Sequence, residues 1–196
     1  MLSECAREYL GTLHREEAVP TSEVERLLVD QGVTPYEPWL LFHEAYAGYF
    51  QDLGMGDIAV WGLARLKEST WFKPRTVTVE RLKGVVVAVF CADVHGSHGY
   101  SMKPNGQVET PTGYARGFDI HVERLALWRQ FALRGPRKFR PTGGWNAEQK
   151  DEFVALMDSF LRPEASDEFA FYHVSEQTLF IRHAKGGFEV LDLDRP

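Results

Sequence analysis

The sequence is short of cysteine, and neither of its two cysteines has a second thiol nearby. Cys5 and Cys91 lie far apart in the chain. This arrangement excludes a disulfide framework and the ligand spacing of a zinc knuckle, and it fits a reducing compartment.

Long hydrophobic runs are also missing. The longest, residues 85–92, is far shorter than the ~20 residues that a membrane-spanning helix requires. Glu4, Arg7 and Glu8 interrupt the stretch where a secretory signal would need an apolar segment. We therefore expect a cytoplasmic protein that has no signal peptide and is not embedded in a membrane.

Positive charge is in deficit. The chain has 28 acidic and 22 basic side chains, and its formal net charge is -6. A protein with this charge has no long-range attraction to DNA, RNA or an anionic membrane. We expect a protein partner, for which a basic surface is the more natural match, and we expect neither nucleic acid nor membrane.

Motifs of nucleotide and covalent chemistry are missing as well. The segments LGMG and TGG have neither the spacing of a phosphate-binding loop nor the Lys-Ser/Thr that follows one. No G-x-S-x-G elbow occurs, and Cys91 lies in an apolar run that gives no reason for a reactive thiol. The sequence therefore predicts no cofactor and no enzymatic active site.

What the sequence has is enough for one folded domain. Its 196 residues, 44% of them hydrophobic and 13% aromatic, can bury a core without a disulfide or a structural metal. No repeat or low-complexity linker divides the chain. We expect a single domain over residues 1–196.

Local patterns predict an α+β fold. Apolar positions at helical spacing predict four helices, over 22–30, 39–47, 119–132 and 148–161. Their starts are indicated by capping-box spacing at Ser22 with Glu25 and at Asn146 with Gln149, and by Asp119 as an N-cap. The last helix has an apolar stripe of Phe153, Leu156, Met157, Phe160 and Leu161. Strand-like runs follow at 58–63, 76–80, 85–92 and a segment ending at Met102, and three more occur in the tail as FAFYHV, TLFIRH and FEVLDL. We expect four or more strands from residues 58–108 to form an antiparallel sheet that packs against helices, with a C-terminal extension of one helix and short strands.

Two turns are predicted in the sheet region and after it. Lys103-Pro104-Asn105-Gly106, flanked by YSM and QVE, is typical of a hairpin because Asn105 and Gly106 tolerate positive φ. The basic segment of Arg134, Arg137, Lys138 and Arg140, with Phe139 and Trp145, has the residue types of a phosphate and base contact. Because the domain is acidic, a solvated loop between two helices is the favoured interpretation.

The sharpest group of potential ligands is Asp93, His95 and His98 in ADVHGSHGY. One carboxylate and two imidazoles at the end of a strand could bind zinc together with a further ligand such as His121. The alternative is a polar, solvent-exposed turn, which we favour. His43 and His173 lie within apolar surroundings and are predicted to be packed, hydrogen-bonded residues.

The order of motifs resembles the SUKH superfamily, which includes many bacterial immunity proteins. PYEPWLLFHEAYAGY is similar to the second helix of that family, with Trp39, Phe42 and Gly48 at the matching places. GDIAVWGLA resembles the strand after it, YSMKPNGQVE resembles the hairpin, and FDIHVERLALW resembles the next helix. The resemblance covers residues 20–133, whereas 85–99 match loosely and 134–196 form an extension that the family pattern does not require.

This resemblance implies a non-enzymatic protein that neutralises a cognate bacterial toxin by direct binding. An acidic protein can cover the cationic surface of a toxin such as a nuclease and associate faster through charge steering. The candidate partner-binding residues are acidic or aromatic and lie near predicted loop tips: Tyr49, Asp52, Asp57 and Glu109. The alternative function is a metal-dependent hydrolase that uses Asp93, His95, His98 and His121, with a zinc-bound water as nucleophile.

Overall fold

A computed structural model describes residues 1–54, 57–68, 73–94, 99–110 and 113–194, and it confirms the α+β class. The helices are α1 (Glu4–Gly11), α2 (Thr21–Asp30), α3 (Glu37–Tyr46), α4 (Phe118–Leu133) and α5 (Ala147–Met157). Two short 3₁₀ turns follow α5, at Asp158–Phe160 and Pro163–Ala165. No helix of this described part is long and apolar enough to span a membrane.

The strands form three antiparallel sheets in the described ranges. The first has the order β1-β2-β5, the second β3-β4-β6-β7-β8 and the third β10-β11-β12-β9. Their bounds are β1 (Phe50–Gly54), β2 (Asp57–Trp61), β3 (Val79–Leu82), β4 (Val85–Phe90), β5 (Ala92–Val94), β6 (Ser101–Met102), β7 (Val108–Thr110), β8 (Gly113–Ala115), β9 (Arg137–Phe139), β10 (Ala170–Val174), β11 (Thr178–His183) and β12 (Phe188–Leu193).

The chain divides into two compact units. The continuous unit is Leu10–Phe118, and the discontinuous unit combines Met1–Tyr9 with Asp119–Pro196. The first two sheets belong to the continuous unit and the third belongs to the discontinuous unit. The prediction of one domain, with a core over 20–133 and an extension over 134–196, stays a prediction.

All four predicted helices are present, but two of the predicted caps are wrong. At α2 the N-cap residue is Pro20, and no side chain caps the helix, so Ser22 and Glu25 do not form the expected capping box. Asp119 was expected as an N-cap but lies inside α4, which already begins at Phe118. The predicted capping box at α5 is confirmed and satisfies two N–H groups that the helix start would leave without a partner.

The helix predicted over 148–161 ends earlier than its apolar residues suggested. After Met157 the chain tightens into a 3₁₀ turn. Of the expected apolar stripe, Met157 is buried and Phe153 packs beside the core, whereas Leu156, Phe160 and Leu161 are exposed. Val154 takes part in the buried face instead.

The predicted sheet of four or more strands exists, although its membership differs from the prediction. Five strands between residues 79 and 115 make this sheet, and the predicted strand at 58–63 pairs instead with β1 and β5. The predicted strand at 76–80 begins three residues later, at Val79. The run 85–92 divides at Cys91, where the chain passes from one sheet to the other.

The hairpin at Lys103–Gly106 is confirmed. Ser101 pairs with Glu109 and Met102 with Val108 in an antiparallel register. Gly106 has φ +88, whereas Asn105 keeps negative φ and contributes its side chain, which accepts a hydrogen bond from the Gln107 amide at 3.1 Å. One left-handed residue is therefore enough for this turn.

An aromatic cluster fills the core of the continuous unit. The ring centroids of Phe42, Tyr46 and Trp61 lie 4.5, 5.0 and 5.0 Å from that of Phe118. Gly48 lies just after α3 and has φ +88. It packs against the carbonyl oxygen of Glu16, so that a Cβ atom at this position would overlap that oxygen. The tight turn after α3 thus requires glycine.

The sheet of the discontinuous unit is covered on both faces. Leu127 and Phe131 of α4 pack with strand residues such as Leu179 and Ile181 in one cluster. Met157 and Phe153 of α5 pack with Phe180 and Val190 in the other. The three tail strands are confirmed.

The basic segment after α4 was expected to be a loop, and this prediction is wrong for Arg137–Phe139. These residues form β9, which adds to the edge of the third sheet beside β12. Asp192 and Leu193 of β12 pair with Lys138 and Arg137 in the register. The strand exists because a partner strand more than fifty residues later supplies its hydrogen bonds.

Candidate functional site

Two of the four predicted partner-binding residues lie together in the β1–β2 hairpin. Asp52 is exposed on β1 and stands directly opposite Ile58 of β2, while Gly54 pairs with Asp57. Directly paired residues project on the same face of a sheet, so Asp52 and Ile58 are neighbours and Asp57 projects on the other face. We call Asp52, Asp57 and Ile58 the acidic hairpin.

Ile58 is the residue of this hairpin that the sequence interpretation missed. Its side chain is 46% exposed. The apolar run at 58–63 predicted a strand, but a continuous apolar run does not tell which face of the strand meets solvent. On the opposite face of the same strand Ala59 and Trp61 are buried. An exposed aliphatic side chain beside a carboxylate is the combination that a protein contact uses, with an apolar anchor and a charged neighbour.

Tyr49 is held by contacts within its own unit. Its ring lies 6.0 Å from that of Trp61, and the Arg15 guanidinium stacks 4.6 Å from its centroid. The side chain is half-buried. A partner can therefore reach only part of Tyr49.

Glu109 lies in a different sheet from the acidic hairpin. It is exposed on β7, and the Tyr114 hydroxyl of the next strand donates to its carboxylate at 3.3 Å. The negative charge of Glu109 raises the pKa of Tyr114. Lys103 stands 5.7 Å from the Tyr114 ring, so a cation is near this carboxylate. The four predicted partner-binding residues do not form one continuous hairpin surface, and their role stays a prediction.

The potential metal ligands can be followed only in part. Asp93 lies in β5, where its backbone pairs with Val60, and His95 and His98 lie outside the described residues. His121 is buried on α4, and burial together with the nearby Arg124 charge lowers its pKa to about 3. In the described part of the chain no group of three or more His, Cys, Asp or Glu residues can hold a metal ion.

Two of the four cations of the basic segment form ion pairs at the edge of the third sheet. Both Asp192 oxygens accept hydrogen bonds from the Arg140 guanidinium at 2.7 Å, and Lys138 lies 3.1 Å from Asp194. Acidic residues at the end of β12 and just after it thus face basic residues of β9 and just after it. Lys138 and Arg140 therefore have carboxylate partners within the protein, and their charges do not require a nucleic-acid partner.

His43 and His173 are packed, hydrogen-bonded residues, as predicted. His43 Nδ1 accepts from the Leu63 amide at 3.1 Å, so its Nε2 carries the proton and donates to the Val19 carbonyl at 2.7 Å. His173 Nδ1 lies 2.9 Å from the Met157 carbonyl oxygen. Burial lowers the pKa of both imidazoles, which favours their neutral forms.

The two thiols do not resemble activated nucleophiles. Cys91 is fully buried, and burial raises the pKa of its thiol. Burial also raises the pKa of Cys5, and the neighbouring Glu123 carboxylate adds to the effect. A raised pKa lowers the fraction of thiolate, which is the reactive form.

The chain matches no family model, no curated protein and no solved structure. The resemblance to the SUKH superfamily therefore stays a prediction from the sequence.

Proposed function

We propose that this chain is a cytoplasmic, non-enzymatic binding protein of the immunity kind, which neutralises a cognate bacterial toxin by direct contact. Two features of the sequence support the proposal: the SUKH-like order of motifs over residues 20–133 and the net charge of -6. The observation that carries it furthest is the acidic hairpin. There an exposed isoleucine stands beside an exposed carboxylate on one face of a strand pair.

The acidic hairpin offers two kinds of interaction to a cationic partner. Asp52 can pair with a lysine or arginine of the toxin, while Ile58 can enter an apolar pocket and lose its contact with water. Burying such a side chain contributes most to slow dissociation, and the carboxylate contributes most to fast association. A nuclease toxin that presents cations to its substrate would be blocked by a protein docked on those cations.

The first experiment tests the function as a whole. The chain is co-expressed with the product of the neighbouring gene, and cell survival and co-purification are scored. We expect protection from toxicity and a stable complex that buries on the order of 1,600 Å². A neighbour that is not toxic, or that is not retained, would contradict the immunity proposal.

The second experiment locates the contact on a partner that has been retained. We expect Asp52→Lys to slow association about tenfold at low salt, and this loss should shrink as salt rises because screening weakens steering. Ile58→Ala should raise the dissociation rate by about tenfold or more. Stopped-flow or surface-plasmon measurements separate the two rates.

The chain offers matched controls on α2. Glu25→Lys makes the same change in net charge at another exposed site of the continuous unit, and Val29→Ala shortens a side chain that is 56% exposed. Both controls should leave the rates within about twofold of the starting protein, as expected outside a contact. Equal effects in the controls and in the hairpin variants would place the contact elsewhere.

A further inference from the structure

A surface cavity of about 370 Å³ opens in the discontinuous unit. It lies where the end of α4, the 3₁₀ turns after α5 and the end of β10 meet. Its lining residues are Arg134, Phe160, Arg162, Val174, Ser175 and Glu176. A volume of this size fits a small organic molecule or the end of a peptide.

One of its two guanidiniums is already positioned. Arg134 Nη1 donates to the carbonyl oxygens of Ser175 at 2.8 Å and Glu176 at 3.4 Å. These bonds fix the head group at the cavity wall. A guanidinium has five N–H donors, so Nε and Nη2 still have donors to offer.

The second guanidinium of the cavity belongs to Arg162. Within the residues that the structure describes, neither Arg162 nor Arg134 has an ion-pair partner. This contrasts with Arg140 and Lys138 of the same unit, which pair with Asp192 of β12 and with Asp194 just after it. Two arginines without an ion-pair partner, against the single carboxylate of Glu176, give this cavity a local excess of positive charge in an acidic protein. Arginine pairs favour carboxylate or phosphate ligands.

The remaining lining residues restrict the kind of anion. Phe160 is 41% exposed and, with Val174, gives the cavity an apolar wall. Glu176 adds a negative charge at the same cavity, which disfavours a ligand with two negative charges such as phosphate. A single carboxylate attached to an apolar body meets both conditions.

We propose that this cavity binds an apolar monocarboxylate, whose carboxylate pairs with Arg134 and Arg162 while its apolar body packs against Phe160. The ligand is either a free small acid or the carboxyl terminus of a peptide that ends in an apolar residue. The site does not depend on the proposed function, because all of its lining residues belong to the discontinuous unit and the acidic hairpin belongs to the continuous one.

The test titrates the full chain, labelled with ¹⁵N, with 3-phenylpropionate. We expect saturable shifts of the Ser175 and Glu176 amide signals with a dissociation constant of about 1 mM or below. The amide analogue 3-phenylpropionamide has the same apolar body without the charge and should bind at least about fivefold more weakly. Inorganic phosphate should also bind more weakly than the acid.

A second titration identifies the source of the carboxylate. Acetyl-Ala-Ala-Phe with a free carboxyl terminus is compared with the same peptide ending in an amide. If the free peptide binds more tightly than 3-phenylpropionate, a chain terminus is the ligand. If it binds more weakly than that acid, a small acid is the ligand.

Arginine variants link binding to the cavity. Arg162→Ala should weaken binding about fivefold or more, and Arg162→Lys should give an intermediate loss because lysine keeps the charge without the fork of donors. Arg162 makes no ion pair in the described residues, so its replacement should leave the fold intact. Arg137→Ala removes an exposed arginine of the same unit outside the cavity and should leave binding unchanged.

Three results would overturn the proposal. The first is the lack of saturable shifts up to about 20 mM acid. The second is equal binding of the acid and its amide, or tighter binding of phosphate. The third is an equal loss of affinity in Arg137→Ala and Arg162→Ala.

Discussion

The two units solve the problem of buried polar groups in different ways. In the described part of the continuous unit the buried polar residues are Gln51, which cannot carry a charge, and His43, whose lowered pKa favours its neutral form. Trp61 Nε1 and the Tyr100 hydroxyl donate to the Gln51 side-chain oxygen at 3.0 and 2.9 Å. This unit therefore fixes its core with neutral hydrogen bonds.

The discontinuous unit buries charged residues instead. Arg124 pairs with Asp167 at 2.7 Å, and their side chains are 9% and 0% exposed. Asp167 also accepts from the amides of Phe169 and Ala170. Glu123 is buried as well and accepts at 2.6 Å from both the amide and the hydroxyl of Ser3. A neutral network is lost one hydrogen bond at a time, whereas a buried ion pair leaves an uncompensated charge when one partner is removed.

The largest effect should come from breaking the buried ion pair. We expect Asp167→Ala to lower the free energy of unfolding by about 3–5 kcal/mol, because Arg124 is left buried without its partner. Asp167→Asn keeps an acceptor oxygen for the Phe169 and Ala170 amides and should cost less. Urea unfolding followed by circular dichroism measures both.

An exposed pair in the continuous unit is the control for this experiment. Arg26 and Asp30 lie 3.6 Å apart on α2, with both side chains more than half exposed. Asp30→Ala should cost about 0.5 kcal/mol or less, because solvent and salt screen such a pair. Similar losses for Asp167→Ala and Asp30→Ala would remove the distinction between the two units.

The neutral network should respond less strongly. Gln51→Leu removes the acceptor of Trp61 Nε1 and of the Tyr100 hydroxyl, and we expect a loss of about 2–3 kcal/mol. Tyr100→Phe removes one donor and should cost about 1 kcal/mol. In a double-mutant cycle the two changes should couple by about 1 kcal/mol, and strict additivity would show that Gln51 and Tyr100 do not act together.

The stability of the discontinuous unit should also depend on pH through His121. The pKa of His121 is about 3 in the folded chain, against about 6.5 when unfolded. Below pH 6.5 the unfolded state binds a proton that the folded state does not, so stability falls as pH falls towards 3. By pH 5 this one group should account for about 2 kcal/mol of lost stability.

His121→Leu tests this account, since leucine cannot titrate. We expect the unfolding free energy of the variant to decrease less between pH 6.5 and 5 than that of the starting protein, by about 1.6 kcal/mol, since a small part of the effect is already present at pH 6.5. Denaturant unfolding at the two pH values gives the comparison. Parallel pH curves for the two proteins would contradict it.

The smallest effects should arise where β9 meets β12. Arg140→Ala breaks a bidentate, partly buried contact with Asp192 and should cost about 1 kcal/mol. Lys138→Ala breaks an exposed contact with Asp194 and should cost about 0.5 kcal/mol or less. Thermal unfolding at low and high salt ranks the two, and equal costs would show that burial does not decide the difference.

Elements whose signal is local could be predicted from the sequence. The four helices follow from apolar positions at helical spacing, and the hairpin at Lys103–Gly106 follows from its turn residues. The strands β1 and β9 were missed because their sequences, FQDLG and RKF, have no clear alternation. Each becomes a strand only when a partner strand supplies its hydrogen bonds.

The same limit applies to the candidate sites. Asp52 and Asp57 could be proposed from charge near a loop tip, but the exposure of Ile58 depends on the face that its sheet buries. The cavity arginines, Arg134 and Arg162, belong to separate segments. No spacing rule brings them together, because only the packing of α4 and β10 does so.

The strand order of the third sheet bears on how the chain folds during synthesis. β12 is the interior strand between β11 and β9, so β9 has no neighbour in this sheet until translation has passed Leu193. Ser3 likewise waits for Glu123, 120 residues later. The continuous unit holds all of its own strands by residue 118 and can form while the ribosome is still making the rest. Met1–Tyr9 is thus made before the continuous unit but gains the contact of Ser3 with Glu123 only after that unit has been made.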